Sequence, residues 1–279
     1  MADKQPLTDD LAREIVRQNV EHHDSSASHY DISHPNMTHW YERRLLGQDL
    51  ALLEELLADR ETVRAVDMGA GTGRLTLQFA RRGWEVTAVD NSREMLRIAH
   101  NNYQRLPKET RGDLKLVHHS AEEFLAEAEG EFDLFAFSSV LHHLPHWLEV
   151  LRLCASRLSV GGCIFSTQDP LPVEVEGRPP GMMMVRLLDD IVRTPQRIRR
   201  LMYRLTRGRR NPRGGALVDY HVPQGLDFGA MEAALAELGV ERRRFVRYQD
   251  RGTGLVAYLD DHLFRTPNWY FRYIGQRTG

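Results

Sequence analysis

Residues 66–73 read Val66-Asp67-Met68-Gly69-Ala70-Gly71-Thr72-Gly73, a carboxylate followed by three glycines at alternate positions. Glycines at such spacing let the backbone turn tightly and let a ligand approach with no Cβ in the way. The run closes an apolar segment and opens a helical one, and a helix N-terminus favours a carboxylate or a phosphate. Asp90 ends the next apolar segment, 21 residues after Gly69. A carboxylate there is suited to accept hydrogen bonds from two ribose hydroxyls. A structural turn beside a solvated aspartate is the plain alternative, and the pairing of loop with acid weighs against it. NAD binding uses a similar loop and acid, but its glycines are spaced G-x-G-x-x-G and these are G-x-G-x-G.

The elements that must position these groups follow from periodicity. Residues 1–60 read as a helical cap, with Leu11, Ile15 and Val16 and then Leu45, Leu46, Leu50, Leu53 and Leu57 at helical spacing. The Ser- and His-rich stretch Asp24–Pro35 between them reads as a loop or flap. Residues 61–168 alternate strand and helix. The strands are Val63–Met68, Trp84–Val89, Leu114–His118, Phe132–Phe137 and Cys163–Thr167. Helices are predicted over Leu75–Arg82, stopped by Gly83, from Asn91 with Glu94 as its capping-box partner, and from Pro145 through Leu158. Such alternation implies a parallel sheet covered on both faces. Residues 169–226 break the rhythm and read as a basic, α-helical lid inserted after the fifth strand. Residues 227–279 return to the core with helix Gly229–Leu238, strand Arg242–Tyr248, a further helix and a last strand, Trp269–Ile274.

Four segments together resemble successive motifs of the class I S-adenosylmethionine (SAM)-dependent methyltransferase superfamily, small-molecule type. They are Val66–Gly73, Val89-Asp90-Asn91-Ser92-Arg93-Glu94-Met95-Leu96, Ser120-Ala121-Glu122, and Phe132–Leu144 with its Ser138-Ser139-Val140-Leu141-His142-His143 end. Leu158-Ser159-Val160-Gly161-Gly162 resembles the turn before that family's fifth strand, with Ser-Val in place of its usual Lys-Pro. The likeness covers residues 40–168 well and the C-terminal strands loosely. It implies a Rossmann-like α/β fold with a mostly parallel seven-stranded sheet, the last strand antiparallel. It also implies SAM as cofactor and S-adenosylhomocysteine as product, while the residues themselves offer no Cys/His or carboxylate cluster of metal-site spacing, so no metal is expected.

The resemblance carries roles with it. Asp67, Gly69, Gly71 and Gly73 would surround the methionine end of SAM, and Ser138 would touch it from the fourth strand. Asp90 would hold the ribose, with Asn91 and Met95 flanking the adenine. Ala121 would offer its backbone to the base, and Glu122 would receive the exocyclic amine. Tyr30 and Arg43 are further candidates for the SAM side. A guanidinium can fork a carboxylate, although Arg43 and Arg44 equally make a solvated helix face.

Methyl transfer from a sulfonium is an in-line displacement that mainly needs nucleophile and methyl held at attack distance. A base is needed only where the acceptor arrives protonated. His143 and His221 are the candidate bases, since histidine titrates near neutral pH. His142, Gln168, Asp169 and Tyr220 are candidates to line the acceptor pocket. For the histidines the alternative is local hydrogen bonding at a helix start. The chain has 13 histidines, but the pairs His22-His23, His118-His119 and His142-His143 are adjacent, and adjacent side chains point apart and chelate poorly. The resemblance implies that an Asn-Pro-Pro-Tyr-like segment after the fourth strand would accompany methylation of exocyclic amines in DNA, and its absence here lowers the nucleic-acid reading.

Bulk properties narrow the partners. Over 279 residues, 42% are hydrophobic and the formal net charge is −2, so a core is available and no global field draws the chain to nucleic acid or anionic membrane. Two cysteines make no disulfide framework, Met1–Asp10 has no apolar stretch of signal-peptide type, and no run is long enough to cross a bilayer, so the expected compartment is the cytoplasm. Pro195–Gly215 holds eight arginines and no acid, with Ile198, Leu201, Met202 and Leu205 at helical spacing. It reads as a lid helix with solvated arginines. A site for an anionic acceptor, a membrane-surface helix and an RNA contact are the functional options, RNA last because only Tyr203 offers stacking. No feature sets an oligomeric state. The expected function is methyl transfer to an oxygen, nitrogen or carbon of a small molecule. The alternatives are SAM chemistry other than methyl transfer, an RNA methyltransferase, and a SAM-binding module without turnover.

Overall fold

The computed structural model describes residues 7–27, 30, 39–172, 225–249, 254–264 and 269–279. Seven segments become strands: β1 (Arg64–Met68), β2 (Glu85–Val89), β3 (Leu114–Val117), β4 (Phe132–Ser138), β5 (Leu158–Pro170), β6 (Val240–Gln249) and β7 (Trp269–Arg277). They form one sheet in the order β3-β2-β1-β4-β5-β7-β6. The pairs from β3 through β5 are parallel, and β7 runs antiparallel to both β5 and β6. This is a Rossmann-like α/β sheet with its last strand reversed.

The helices between strands are α3 (Arg74–Ala80), α4 (Arg93–Tyr103), α5 (Ala121–Glu127) and α6 (Trp147–Ser156), with α7 (Phe228–Ala236) before β6 and α8 (Gly254–Leu259) after it. A π-helical turn, Asp260–Phe264, continues α8. Two N-terminal helices, α1 (Asp9–Ser26) and α2 (Trp40–Leu56), make the cap. α1 packs on α4 and on the 3₁₀ turn Leu141–His143, and α2 packs on α8 and on β5 and β7.

Alternation along the strands sends successive side chains to opposite faces. Val66, Phe135, Phe137, Ile164, Phe271 and Tyr273 face a layer with Phe124 of α5, Val150 and Cys154 of α6 and Leu235 of α7. Ala65, Leu134, Ala136, Cys163, Phe165 and Ile274 face the other layer, with Leu50 and Leu53 of α2, Phe79 of α3 and Tyr103 of α4. Both sheet faces are thus covered, as strands buried on both sides require. Cys154 and Cys163 are free thiols, one in each layer.

Several boundaries move. β5 begins at Leu158, so the Gly161-Gly162 pair lies within it, and Phe132 already pairs with Leu158. The N-cap of α4 is Ser92, whose hydroxyl accepts from the Met95 N–H. Asn91 stands one residue too early. The capping box sits instead at α5, where Ser120 and Glu123 bond reciprocally. α6 starts at Trp147, two residues after Pro145. The polar stretch from Asp24 begins as helix, since α1 runs to Ser26. Residues 173–224 follow β5 and lie outside the described residues, and with them Tyr220, His221 and the Arg-rich stretch. No helix among the described residues is long and apolar enough to cross a membrane.

Candidate active site

Crossover connections leave β1 toward β2 on one side and reach β4 on the other, so the strand order reverses between β1 and β4. In open α/β sheets the crevice outside the carboxyl ends at such a point is where ligands bind. A cavity of about 310 Å³ opens there. Its floor is the glycine loop after β1, its sides are Asp90 and Asn91 after β2 and Ser138, Ser139 and Val140 after β4, and Val16, Asn19 and His23 of α1 lie over it.

The loop is shaped by its glycines. Gly69 and Gly71 have φ of +66° and +55°, a region that favours glycine. A Cβ on Gly69 would meet Val140 Cγ2 at 2.6 Å, whereas one on Gly71 would meet nothing within 4 Å. Gly71 therefore presents bare backbone to the cavity. Gly73 caps α3 and packs against Ala99, and it does not line the cavity.

Two carboxylates hold the loop. Asp67 is buried at the end of β1, and its Oδ2 accepts from the N–H and hydroxyl of Thr76 at 2.8 and 2.6 Å. Burial pushes its pKa up to about 6 against the pull of those bonds. Asp90 accepts from the Gly71 N–H through one oxygen and from the Ser92 N–H through the other, each at 2.8 Å. Burial raises its pKa as well, while the two amides oppose the shift. The Ser92 hydroxyl in turn donates to Asp24 of α1, which ties the cap to this edge.

Of the residues predicted for the cofactor, Tyr30, Asp67, Gly69, Gly71, Asp90, Asn91, Met95, Ala121, Glu122 and Ser138 line this one cavity. Arg43 does not: it is exposed on α2. The guanidinium that does line it is Arg74, the first residue of α3. Arg74 donates to Ser138 Oγ and Gln168 Oε1, both at 2.8 Å, and pairs with Glu42. Behind it, Arg272 is buried between Glu42 and Asp49, and Arg244 also pairs with Asp49. Burial works to lower the Arg272 pKa, but Glu42, Tyr248 and Asp49 together hold it above the usual value.

Among the predicted acceptor-side residues, His143 lines the cavity. His142, Gln168 and Asp169 are buried behind its wall. Gln168, like Ser139, sits in left-handed backbone, at φ of +64° and +60°. Strain of this kind collects at functional sites. Sequence reasoning passed over Arg74, Asn19 and His23. Arg74 stands directly after the glycine motif, where its position was the available signal. Asn19 and His23 needed the packing of α1. Among the described residues no three His, Cys, Asp or Glu converge to hold a metal.

Residues 65–162 match the methyltransferase domain family. Over 102 residues the methyltransferase domain is 35% identical to a ubiquinone biosynthesis O-methyltransferase of Xanthomonas campestris pv. campestris (strain B100), covering 37% of this chain and 41% of that one. The chain thus spans about two fifths of the length of the curated relatives it matches. Its fold is similar to that of the N-methyltransferase NodS from Bradyrhizobium japonicum WM9 in complex with S-adenosyl-L-homocysteine (TM-score 0.55, 11% identity, 95% of this chain and 99% of that one). It is also similar to magnesium protoporphyrin IX methyltransferase from Synechocystis PCC 6803 with bound SAM (TM-score 0.51, 13% identity, 98% and 100%).

Proposed function

We propose that the cavity binds SAM and that the protein transfers its methyl group to a small-molecule acceptor. The observation that carries this reading is Asp90, whose two oxygens are each fixed by a backbone amide beside the bare Gly71 loop. An ionised carboxylate so held keeps lone pairs for two more donors, which suits two ribose hydroxyls. In this reading Asn91 and Met95 flank the adenine, and Ala121 and Glu122 meet its edge. Asp67, Gly69, Gly71 and Ser138 surround the methionine part.

Arg74 takes the role expected of Arg43 and forks the methionine carboxylate. Three guanidiniums, Arg74, Arg244 and Arg272, face two carboxylates, Glu42 and Asp49. That excess of one positive charge sits where Arg74 meets the cavity. A carboxylate from a ligand neutralises it. The segment predicted as residues 169–226, whose first two residues complete β5, acts as the lid over the acceptor side, a role supported by its place directly after that strand. Two free, buried thiols fit a reducing, cytoplasmic setting.

Calorimetric titration with SAM, S-adenosylhomocysteine and NAD tests the cofactor. Micromolar binding of the first two alone is expected, and binding of NAD alone, or of none of the three, overturns the reading. Gly71→Val, which projects a side chain into the cavity and strains left-handed backbone, is expected to abolish that binding, and circular dichroism separates loss of the site from loss of the fold.

A further inference from the structure

The cofactor reading leaves the buried carboxylate of Asp169 unused. Asp169, near the end of β5, is fully buried. Its Oδ1 accepts from the His142 backbone N–H at 3.2 Å and lies 2.7 Å from Nδ1 of the same residue. Its Oδ2 accepts from the Ser166 hydroxyl at 3.0 Å. An ionised carboxylate only accepts, so Nδ1 of His142 carries the proton, and in the neutral ring Nε2 is bare. This double grip pins the turn Leu141–His143 against β5. The His142 ring then packs on that of His143, with centroids 4.1 Å apart.

His143 reaches the cavity from this platform. From α1, His23 meets it edge-on at 5.4 Å, and the Asn19 amide donates to its backbone carbonyl at 3.4 Å. Nδ1 of His23 lies 2.9 Å from the Asn19 carbonyl, so it too is the protonated nitrogen. Tyr30 follows, 5.9 Å from His23. Among the described residues, the titratable groups seen against the His143 ring are His23 of the cap and His142 of its own turn, with Tyr30 behind His23 and Asp169 of β5 behind His142. The arrangement holds one imidazole in the cavity, oriented by a second that is itself locked by a buried carboxylate. A stationary carboxylate behind paired imidazoles stabilises a positive charge arriving on them.

We propose that His143 takes a proton from the methyl acceptor, with His142 and Asp169 as positioning residues. The acceptor therefore arrives with a proton on its attacking atom, as a hydroxyl or an N–H, and not as a thioether or a tertiary amine. This rests on reading the cavity as the SAM site. In the step, a lone pair of the acceptor oxygen or nitrogen forms the bond to the methyl carbon. The carbon–sulfur bond breaks with its electron pair going to sulfur, and the acceptor proton passes to His143. The positive charge lost by the sulfonium reappears on the imidazolium.

SAM and S-adenosylhomocysteine differ by that methyl and that charge, which makes them probes of whatever stands beside the sulfur. Nitrogen-15 NMR of the histidine rings in the full chain, saturated with each in turn, reads the outcome. His143→Gln and His142→Gln serve to assign the signals. His142 is expected as the Nδ1–H tautomer. His143 is expected to titrate about half a pH unit or more lower with SAM than with S-adenosylhomocysteine, because the sulfonium repels a second cation. In Asp169→Asn the His142 tautomer lock is expected to loosen and the His143 titration to fall further, with affinity for S-adenosylhomocysteine unchanged. Equal titration of His143 in the two complexes of the unaltered chain overturns the proposal, whether or not the Asp169 variant folds. Failure of both ligands to bind in calorimetry overturns the cofactor reading instead, so the two failures are distinct.

Discussion

Around the glycine loop, Asp67 and Asp90 are held by groups 9, 19 and 2 residues away in the chain. Beneath the cap, Glu42 and Asp49 are held by Arg272 and Arg244 across separations of 230, 223 and 195 residues, with Arg74 reaching Glu42 across 32. The first arrangement uses backbone amides that the turn itself supplies. The second uses side-chain charges that only the finished sheet brings together. Only proline removes a backbone amide, so the loop carboxylates depend on side chains only at the acid itself and at the Thr76 hydroxyl. The charge network fails at any member, because a buried charge left alone is costly.

Arg272→Met tests this contrast hardest. It leaves buried Glu42 to Arg74 alone and buried Asp49 to Arg244 alone, and is expected to destabilise the chain by about 3–5 kcal/mol, read by chemical denaturation. A loss under 1 kcal/mol would mean that the network is no more than a surface pair. Asp67→Asn comes next. The folded-state pKa of Asp67 is raised to about 6 by burial, so its contribution to stability is present below its unfolded pKa near 4 and is lost as pH rises through 6. Relative to Asp67→Asn, the unaltered chain is expected to gain up to about 3 kcal/mol between pH 7 and pH 4. A difference that stays flat across that window would place the carboxylate in water.

Asp90→Ala removes two amide-anchored acceptor atoms and is expected to weaken SAM binding by about 2–3 kcal/mol in calorimetry. Unchanged affinity would put the ribose elsewhere. The gentlest comparison is between two arginines. Arg74→Ala is expected to weaken SAM binding by about 1.5–3 kcal/mol through loss of a charged hydrogen bond. Arg43→Ala is expected to stay within about 0.5 kcal/mol, as an exposed substitution should. Reversal of that order would return the methionine carboxylate to α2.

The same contrast explains what the sequence made legible. The glycine loop, Asp90 and Ser138 lie at the ends of plain apolar strands, and Met95 and Ala121 in the first turns of the helices that follow, so topology alone gathers them at one edge. Arg272 was passed over because its partners are remote, although a lone cation between Phe271 and Tyr273 in an apolar strand already demands buried acids. The α4 cap slipped by one residue because Asn91 and Ser92 both cap well, and local propensity does not separate them. Asp169 was legible as a residue near the β5 end. Its grip on His142 was not, since it depends on β5 extending to Pro170 beside the turn after β4.

The placement of the two thiols has a practical consequence. Cys154 and Cys163 lie in opposite layers of the core, and burial raises both thiol pKa values, Cys163 to about 12. A thiolate is the reactive form, so neither sulfur reacts with an alkylating reagent until its own layer opens. Mass spectrometry of pulse-alkylated protein therefore times the opening of each side of the sheet separately. If the two sites label in step, the layers unfold as one cooperative unit. If Cys163 labels first, the face under the N-terminal cap is the weaker seam.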